Sequence, residues 1–238
     1  MKAIIGGTGV DRISGFCSER REVPTPYGPV ELFVGRGEHS ALLFLPRHGS
    51  SHSVPPHMIN YRANITALEQ LEVDELISIY AVGSITDALA PGEVGTLSDF
   101  VDLTGGGREH TFFSGGVSGV EHVGMDRAFD AVLTASLHAK DPSLQRAGVY
   151  VCTNGPRLET PAEIRMFKTL GFDVVGMTAA TEVALAREIG IRVASLAYSI
   201  NWAAGVGPDD VVFIGDERIA KLKDRMIGLC LEVLEGKG

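Results

Sequence analysis

Cysteine, long apolar runs and basic residues are all scarce in this chain, and each shortage removes a class of function. Cys17, Cys152 and Cys230 are the only three cysteines in 238 residues, and no CxxC pair occurs. Thiols so widely separated read as reduced and mostly buried, with neither a disulfide framework nor a cysteine-ligated zinc. No stretch approaches the ~20 apolar residues of a membrane span, and the apolar run in the opening Met-Lys-Ala-Ile-Ile-Gly-Gly-Thr-Gly is too short for a signal peptide. The expectation is a soluble, cytoplasmic protein without a membrane partner. Lys and Arg number 21 against 30 Asp and Glu, a formal net charge of −9. That is the opposite of the concentrated basic face a nucleic-acid duplex requires. A small anion stays possible, because one arginine and a few amides suffice to hold it.

What is present is ordinary for a globular chain, with 45% hydrophobic and 21% charged residues, and glycine is plentiful at 29. The length suits one α/β domain over residues 1–238. Ala3 to Ile5 read as a buried strand entering Gly6-Gly7-Thr8-Gly9, and residues 20–37 as hairpin or edge strands. Ala41 to Leu45 form a strand ending at Pro46-Arg47-His48-Gly49. Ile65, Leu68 and Leu71 repeat at helical spacing, and Leu76 to Val82 give a further strand ending at Gly83-Ser84. Asp99 to Gly119 look like loop, with glycine clusters around Arg108-Glu109-His110. Phe129, Val132, Leu133 and Leu137 mark a helix, and Val149 to Cys152 a strand. Thr160, Pro161 and Glu163 spell out an N-cap, a first-turn proline and a capping box, with Gly171 as the left-handed stop. A strand over Phe172 to Met177, a helix around 180–189, a strand over Val193 to Ile200 and a final helix continue the alternation. The fold class is therefore α/β, a central mixed, largely parallel twisted sheet flanked by helices.

Ligands of such sheets bind beyond the carboxyl ends of the strands. The loops there are Gly6–Gly9, Arg47–His52, Ala81–Ser84, Asn154–Glu159, Met177–Thr178 and Asn201. Gly6-Gly7-Thr8-Gly9 offers amides and a hydroxyl to an anion, or simply makes a tight turn. A dinucleotide fingerprint would need a glycine where Arg12 stands. Arg47 follows a buried strand directly, so its guanidinium fork can project at the site mouth toward a phosphate. His48, His52 and His57 have no carboxylate or cysteine at a metal-ligand spacing, so no metal is expected.

These pieces together resemble the trimeric purine nucleoside phosphorylase and methylthioadenosine phosphorylase family. GGTG at 6–9, RHG at 47–49 with His52, NYRANI at 60–65, AVGS at 81–84, NGPRLET at 154–160, VVGMT at 174–178 and EVALARE at 182–188 occur in the family's order. The match spans about residues 3–205. The resemblance implies phosphate ligands at Thr8, Arg47, His48, the Ala81 backbone and Thr178, a ribose-packing Met177, and His122 reaching into a neighbouring subunit's site. Where the family often has a hydroxyl residue before that alanine, this chain has Tyr80. The resemblance also implies a homotrimer or a hexamer of two trimers, inorganic phosphate as co-substrate and no cofactor.

Glu159 and Asn201 decide the base in this reading. Members acting on 6-oxopurines carry a Glu that accepts the purine N1–H and an Asn that contacts O6 and N7; both positions match. Members that cleave methylthioadenosine typically have Asp where Asn201 stands and a second Asp where this chain has Ala203. A carboxylate suits hypoxanthine N1–H but faces the lone pair of adenine N1, and unpaired buried groups cost selectivity of about 10⁴. The RHGSSH segment beside the oxopurine-type Glu and Asn is most similar to S-methyl-5'-thioinosine phosphorylases. An inosine, guanosine or methylthioadenosine phosphorylase is the alternative, with Val206 a candidate for the 5' pocket. An NAD-dependent oxidoreductase and a non-catalytic nucleoside-binding protein are the readings from other classes.

Overall fold

The computed structural model describes residues 1–8, 10, 13, 16–50, 53–207 and 210–236. Gly9, Arg12 and His52 lie outside the described residues. The strands are β1 (Lys2–Gly6), β2 (Ser18–Val23), β3 (Val30–Gly35), β4 (Leu42–Pro46), β5 (Glu75–Ser84), β6 (Val94–Asp102), β7 (Gln145–Cys152), β8 (Val174–Gly176) and β9 (Arg192–Trp202). Between them run helices α1 (Tyr61–Gln70), α2 (Ala131–Lys140), α3 (Pro161–Thr169), α4 (Ala179–Glu188) and α5 (Asp216–Glu235).

The sheet order is β2-β3-β4-β1-β5-β8-β7-β6-β9, and β9 also pairs with β5. Five strands, β5, β8, β7, β6 and β9, thus close into a ring from which the other four extend. Pairs β1–β4, β1–β5, β5–β9, β6–β7 and β7–β8 are parallel, and the hairpin pairs together with β5–β8 and β6–β9 are antiparallel. The expected mixed, mainly parallel sheet is what forms.

One core cluster packs α1 and α4 against the sheet, and a second packs α2 and α5 against the opposite face. Burying each Val, Leu, Ile or Phe there contributes roughly 1.5–3 kcal/mol. Helix α3 begins as its sequence dictates. Thr160 accepts from the Glu163 amide, the Glu163 carboxylate accepts from the Thr160 amide, and Pro161 occupies the first turn. The chain leaves this helix through Gly171 at φ 85°, which a side chain would resist.

Two expectations need correcting. The segment from Asp99 is not yet loop, because β6 continues to Asp102 alongside β7. Its outer half is mostly exposed or half-buried, so the apolar signal that marks a strand is missing there. Cys17 is exposed, unlike Cys152 and Cys230. Among the described residues, no helix is long and apolar enough to cross a membrane.

Candidate active site

Strand β5 has two partners on one edge, and they meet it from opposite directions. β1 pairs with Glu75–Ser78 and stops, whereas β8 pairs only with Gly83 and Ser84. Ile79 to Val82 are left without a strand partner on that edge. The turn after β1 and the turn after β8 converge on this gap, and a cavity of about 220 Å³ opens there. The sheet therefore changes partner at its centre, which is where ligands of α/β sheets bind.

One end of the cavity carries donors. Thr8, Arg47, His48, Ala81 and Thr178 all line it. The Ile79 carbonyl faces the gap, where it accepts from Arg47 Nη1 at 2.9 Å. Because strand residues alternate in direction, the Ala81 N–H faces the same way. Thr178 is the N-cap of α4, yet its hydroxyl makes no cap bond. The Tyr150 hydroxyl accepts the Thr178 amide at 3.1 Å, and the Thr178 hydroxyl, making no cap bond, is not spent on its own helix. The His48 Nδ1–H donates to the Val54 carbonyl at 2.8 Å, so Nε2 donates to an anion only in the doubly protonated ring. The Thr8 carbonyl is tied down by the Tyr198 hydroxyl.

Arg47 does not stand at the mouth as expected. It is buried, and its guanidinium forms the cavity floor, clamped by Glu182 through Nε at 2.7 Å and Nη2 at 2.9 Å. Burial opposes its charge, but the Glu182 carboxylate more than offsets that, and the guanidinium stays well above its ordinary range. The glycine turn has a specific purpose here. A Cβ on Gly7 would sit 2.7 Å from Arg47 Nη1 and 2.6 Å from the Ile79 carbonyl oxygen. Gly7 is required by close approach to the arginine.

The other end holds Asn201, at the end of β9 and buried. Its Nδ2 donates to the Trp202 carbonyl at 2.8 Å, which leaves Oδ1 and one amide proton for a ligand. Gly83 lies against this amide, where a Cβ would come 3.3 Å from Nδ2. Met177, Pro156, Leu158, Ile200 and Phe213 complete the apolar walls between the two ends.

Glu159 is not brought to this cavity. It accepts from the Thr153 hydroxyl at 2.6 Å and lines an adjoining space of about 390 Å³ under α3. Gly155, Arg157 and Glu159 line this space, whereas Pro156 and Leu158 line the first. His122 is exposed and lies apart from both. Val206 is half-buried and packs against the apolar cluster beneath α3, and it is not among the residues that line either space.

Three side chains escaped the sequence reading. Glu182 is a charge inside a helix that is otherwise buried, and that pattern demands a buried partner. Tyr80 points into the interior and donates to Glu182 at 2.9 Å, so it offers nothing to the cavity. Arg108 is buried beneath the site, with bonds to the Met177 carbonyl at 2.6 Å and the Asn154 carbonyl at 2.8 Å. It pins the two wall segments together. Burial also pushes the nearby Cys152 thiol up to about 12, which makes it unreactive. Among the described residues no cluster of His, Cys, Asp or Glu could hold a metal ion.

With hydrogen-bond donors at one end of this cavity and a carboxamide at the other, the chain is an α/β enzyme of the group-transferring kind. The chain belongs to the Phosphorylase superfamily, whose model matches residues 2–235. It is 42% identical over 234 residues to "Probable 6-oxopurine nucleoside phosphorylase" of Moorella thermoacetica, covering 93% of this chain and 89% of the relative. It is 41% identical to "Probable S-methyl-5'-thioinosine phosphorylase" of Methanothermobacter thermautotrophicus, covering 94% and 81%. Among solved structures, methylthioadenosine phosphorylase from Schistosoma mansoni superposes with a TM-score of 0.86 at 31% identity, covering 99% and 91%.

Proposed function

We propose that this enzyme catalyses phosphorolysis of a 6-oxopurine nucleoside, S-methyl-5'-thioinosine foremost, giving hypoxanthine and 5-methylthioribose 1-phosphate. The observation that carries this is the placement of Arg47 and Thr178 in one cavity with Asn201. Inorganic phosphate is held by Thr8, Arg47, His48, the Ala81 amide and Thr178, and the ribose packs on Met177. The bond between C1' and N9 stretches first, leaving positive charge on the sugar and negative charge on the purine. A phosphate oxygen then bonds to C1' as the N9 bond breaks. Asn201 Oδ1 accepts from the purine N7–H as the base takes up a proton, and its amide proton meets O6. Catalysis is positioning and oriented dipoles, with no covalent intermediate. The walls of Pro56, Leu158, Ile200 and Phe213 suit a purine ring and an uncharged 5' group.

Glu159 completes the base site in this reading by accepting N1–H. To do so it must leave Thr153 and enter the cavity that Asn201 lines. A trimer would bring His122 of one copy toward the cavity of another. No organic cofactor or metal takes part, and the cytoplasm, where purine nucleosides are recycled, is the expected location.

A methylthioadenosine phosphorylase is the second reading, favoured by the position of Glu159 away from the cavity and by the Schistosoma likeness. Asn201 and Ala203, where such enzymes typically carry Asp, weigh against it. Initial rates with methylthioinosine, methylthioadenosine, inosine and guanosine, each with and without phosphate, decide between them. Phosphate-dependent hypoxanthine release fastest from methylthioinosine is the expected result. Equal rates on methylthioadenosine would overturn the base assignment.

A further inference from the structure

The floor of the cavity rests on a closed network of buried polar groups. A guanidinium has five N–H donors, and four of those on Arg47 are committed. Nε–H and one Nη2–H go to the two oxygens of Glu182, the other Nη2–H to Ser78 Oγ at 2.9 Å, and one Nη1–H to the Ile79 carbonyl. Glu182 is equally committed, for its Oε1 also accepts from the hydroxyls of Ser78 and Tyr80. Both side chains of the ion pair are at most 2% exposed. The arginine carbon sits 4.7 Å above the Tyr80 ring. Among the described residues one Nη1–H remains uncommitted, and Nη1 is the atom against which Gly7 leaves room.

We propose that Glu182 is a positioning residue for phosphorolysis: through its two-point grip it turns the Arg47 guanidinium so that one Nη1–H is aimed at the phosphate. The inference rests on the phosphorolytic reading above. An exposed arginine would seek phosphate with its whole fork, whereas here the fork is taken by Glu182. Phosphate is met by a single fixed donor, whose direction depends on the carboxylate behind it. Ser78 and Tyr80 set the angle of that carboxylate in turn. Removing the Glu182 charge also frees positive charge near the anion, an effect of opposite sign. Orientation is the larger of the two, because a misplacement of about 1 Å at a reacting centre costs about 10²-fold.

The test is steady-state kinetics of wild type, Glu182→Gln and Tyr80→Phe, varying phosphate and nucleoside separately. Wild-type turnover comes first, since a wild type that releases no base with phosphate refutes the proposed function itself. Given wild-type turnover, Glu182→Gln is expected to raise the phosphate KM at least tenfold while the nucleoside KM stays within about twofold. An unchanged or lowered phosphate KM, or an equal rise in both constants, overturns the positioning role. Tyr80→Phe keeps the ion pair and the ring but removes one bond to Oε1, so it remains informative if Glu182→Gln does not fold. It is expected to raise the phosphate KM about two- to fivefold, and a wild-type value overturns the proposal.

Discussion

The Tyr150 hydroxyl accepts the amides of Thr178 and Ala179, the N-cap and the first residue of α4, at 3.1 Å and 3.5 Å. A threonine at an N-cap ordinarily spends its hydroxyl on its own helix. Here the Thr178 hydroxyl makes no cap bond, while a tyrosine from β7 anchors the backbone at the start of the helix. Gly176 makes this anchor possible, because a Cβ there would collide with the tyrosine hydroxyl.

Tyr150→Phe therefore tests this division of labour. With that acceptor gone, the Thr178 backbone loses its anchor and the hydroxyl loses its fixed place in the cavity. The expected outcome is a phosphate KM raised about tenfold, with the nucleoside KM little changed. Loss of one hydrogen bond lowers stability by only about 1 kcal/mol, which a denaturant midpoint separates from the kinetic effect.

Asn201→Ala removes the one carboxamide at the base end. Loss of a single oriented donor to developing charge costs about 10²–10³ in kcat. Phosphate affinity should stay near wild type, because the anion donors lie at the opposite end. Turnover at the wild-type rate would reject the leaving-group role.

Glu159→Ala addresses base choice. If the carboxylate reaches the purine during turnover, the ratio of kcat/KM for inosine over adenosine falls by at least about tenfold. The adjoining space beside Thr153 is then only a resting place for Glu159. An unchanged ratio would leave selectivity to Asn201 and the walls alone.

The start of α3 gives a stability prediction. The Arg157 guanidinium, helped by the Thr160 amide, holds the Glu163 carboxyl down at about 2 from an ordinary 4.5. A depressed folded value means stability that is present above pH 4.5 and lost as pH falls toward 2. Glu163→Gln should flatten that part of the stability profile in acid denaturation. Thr160→Ala should cost about 1 kcal/mol near neutrality, read from a urea midpoint.

Much of this molecule was legible in local pattern. The α3 boundaries followed from Thr160, Pro161, Glu163 and Gly171, because caps and stops are settled by a few adjacent residues. The strand ends Thr8, Arg47, Met177 and Asn201 could be picked out, since in a sheet of this class they share one edge. Ala81, expected in a strand-terminal loop, lies inside β5. Strand β6 was missed altogether, and its outer half buries too little to show an apolar alternation.

By itself the sequence determined the class of fold, the order of its elements and the residue types gathered at the strand ends. Periodicity, capping and turn chemistry act over a few residues, so they can be read along the chain. Which way each side chain faces was decided only by the tertiary structure. Arg47 turns inward because Glu182, 135 positions away, is buried against it and a buried charge must be paired. Glu159 accepts from the Thr153 hydroxyl and lines a different space from Asn201, a partnership between side chains that local pattern does not encode. The cavity itself exists because β1 and β8 stop short of one another along β5, a consequence of sheet order that no local segment encodes.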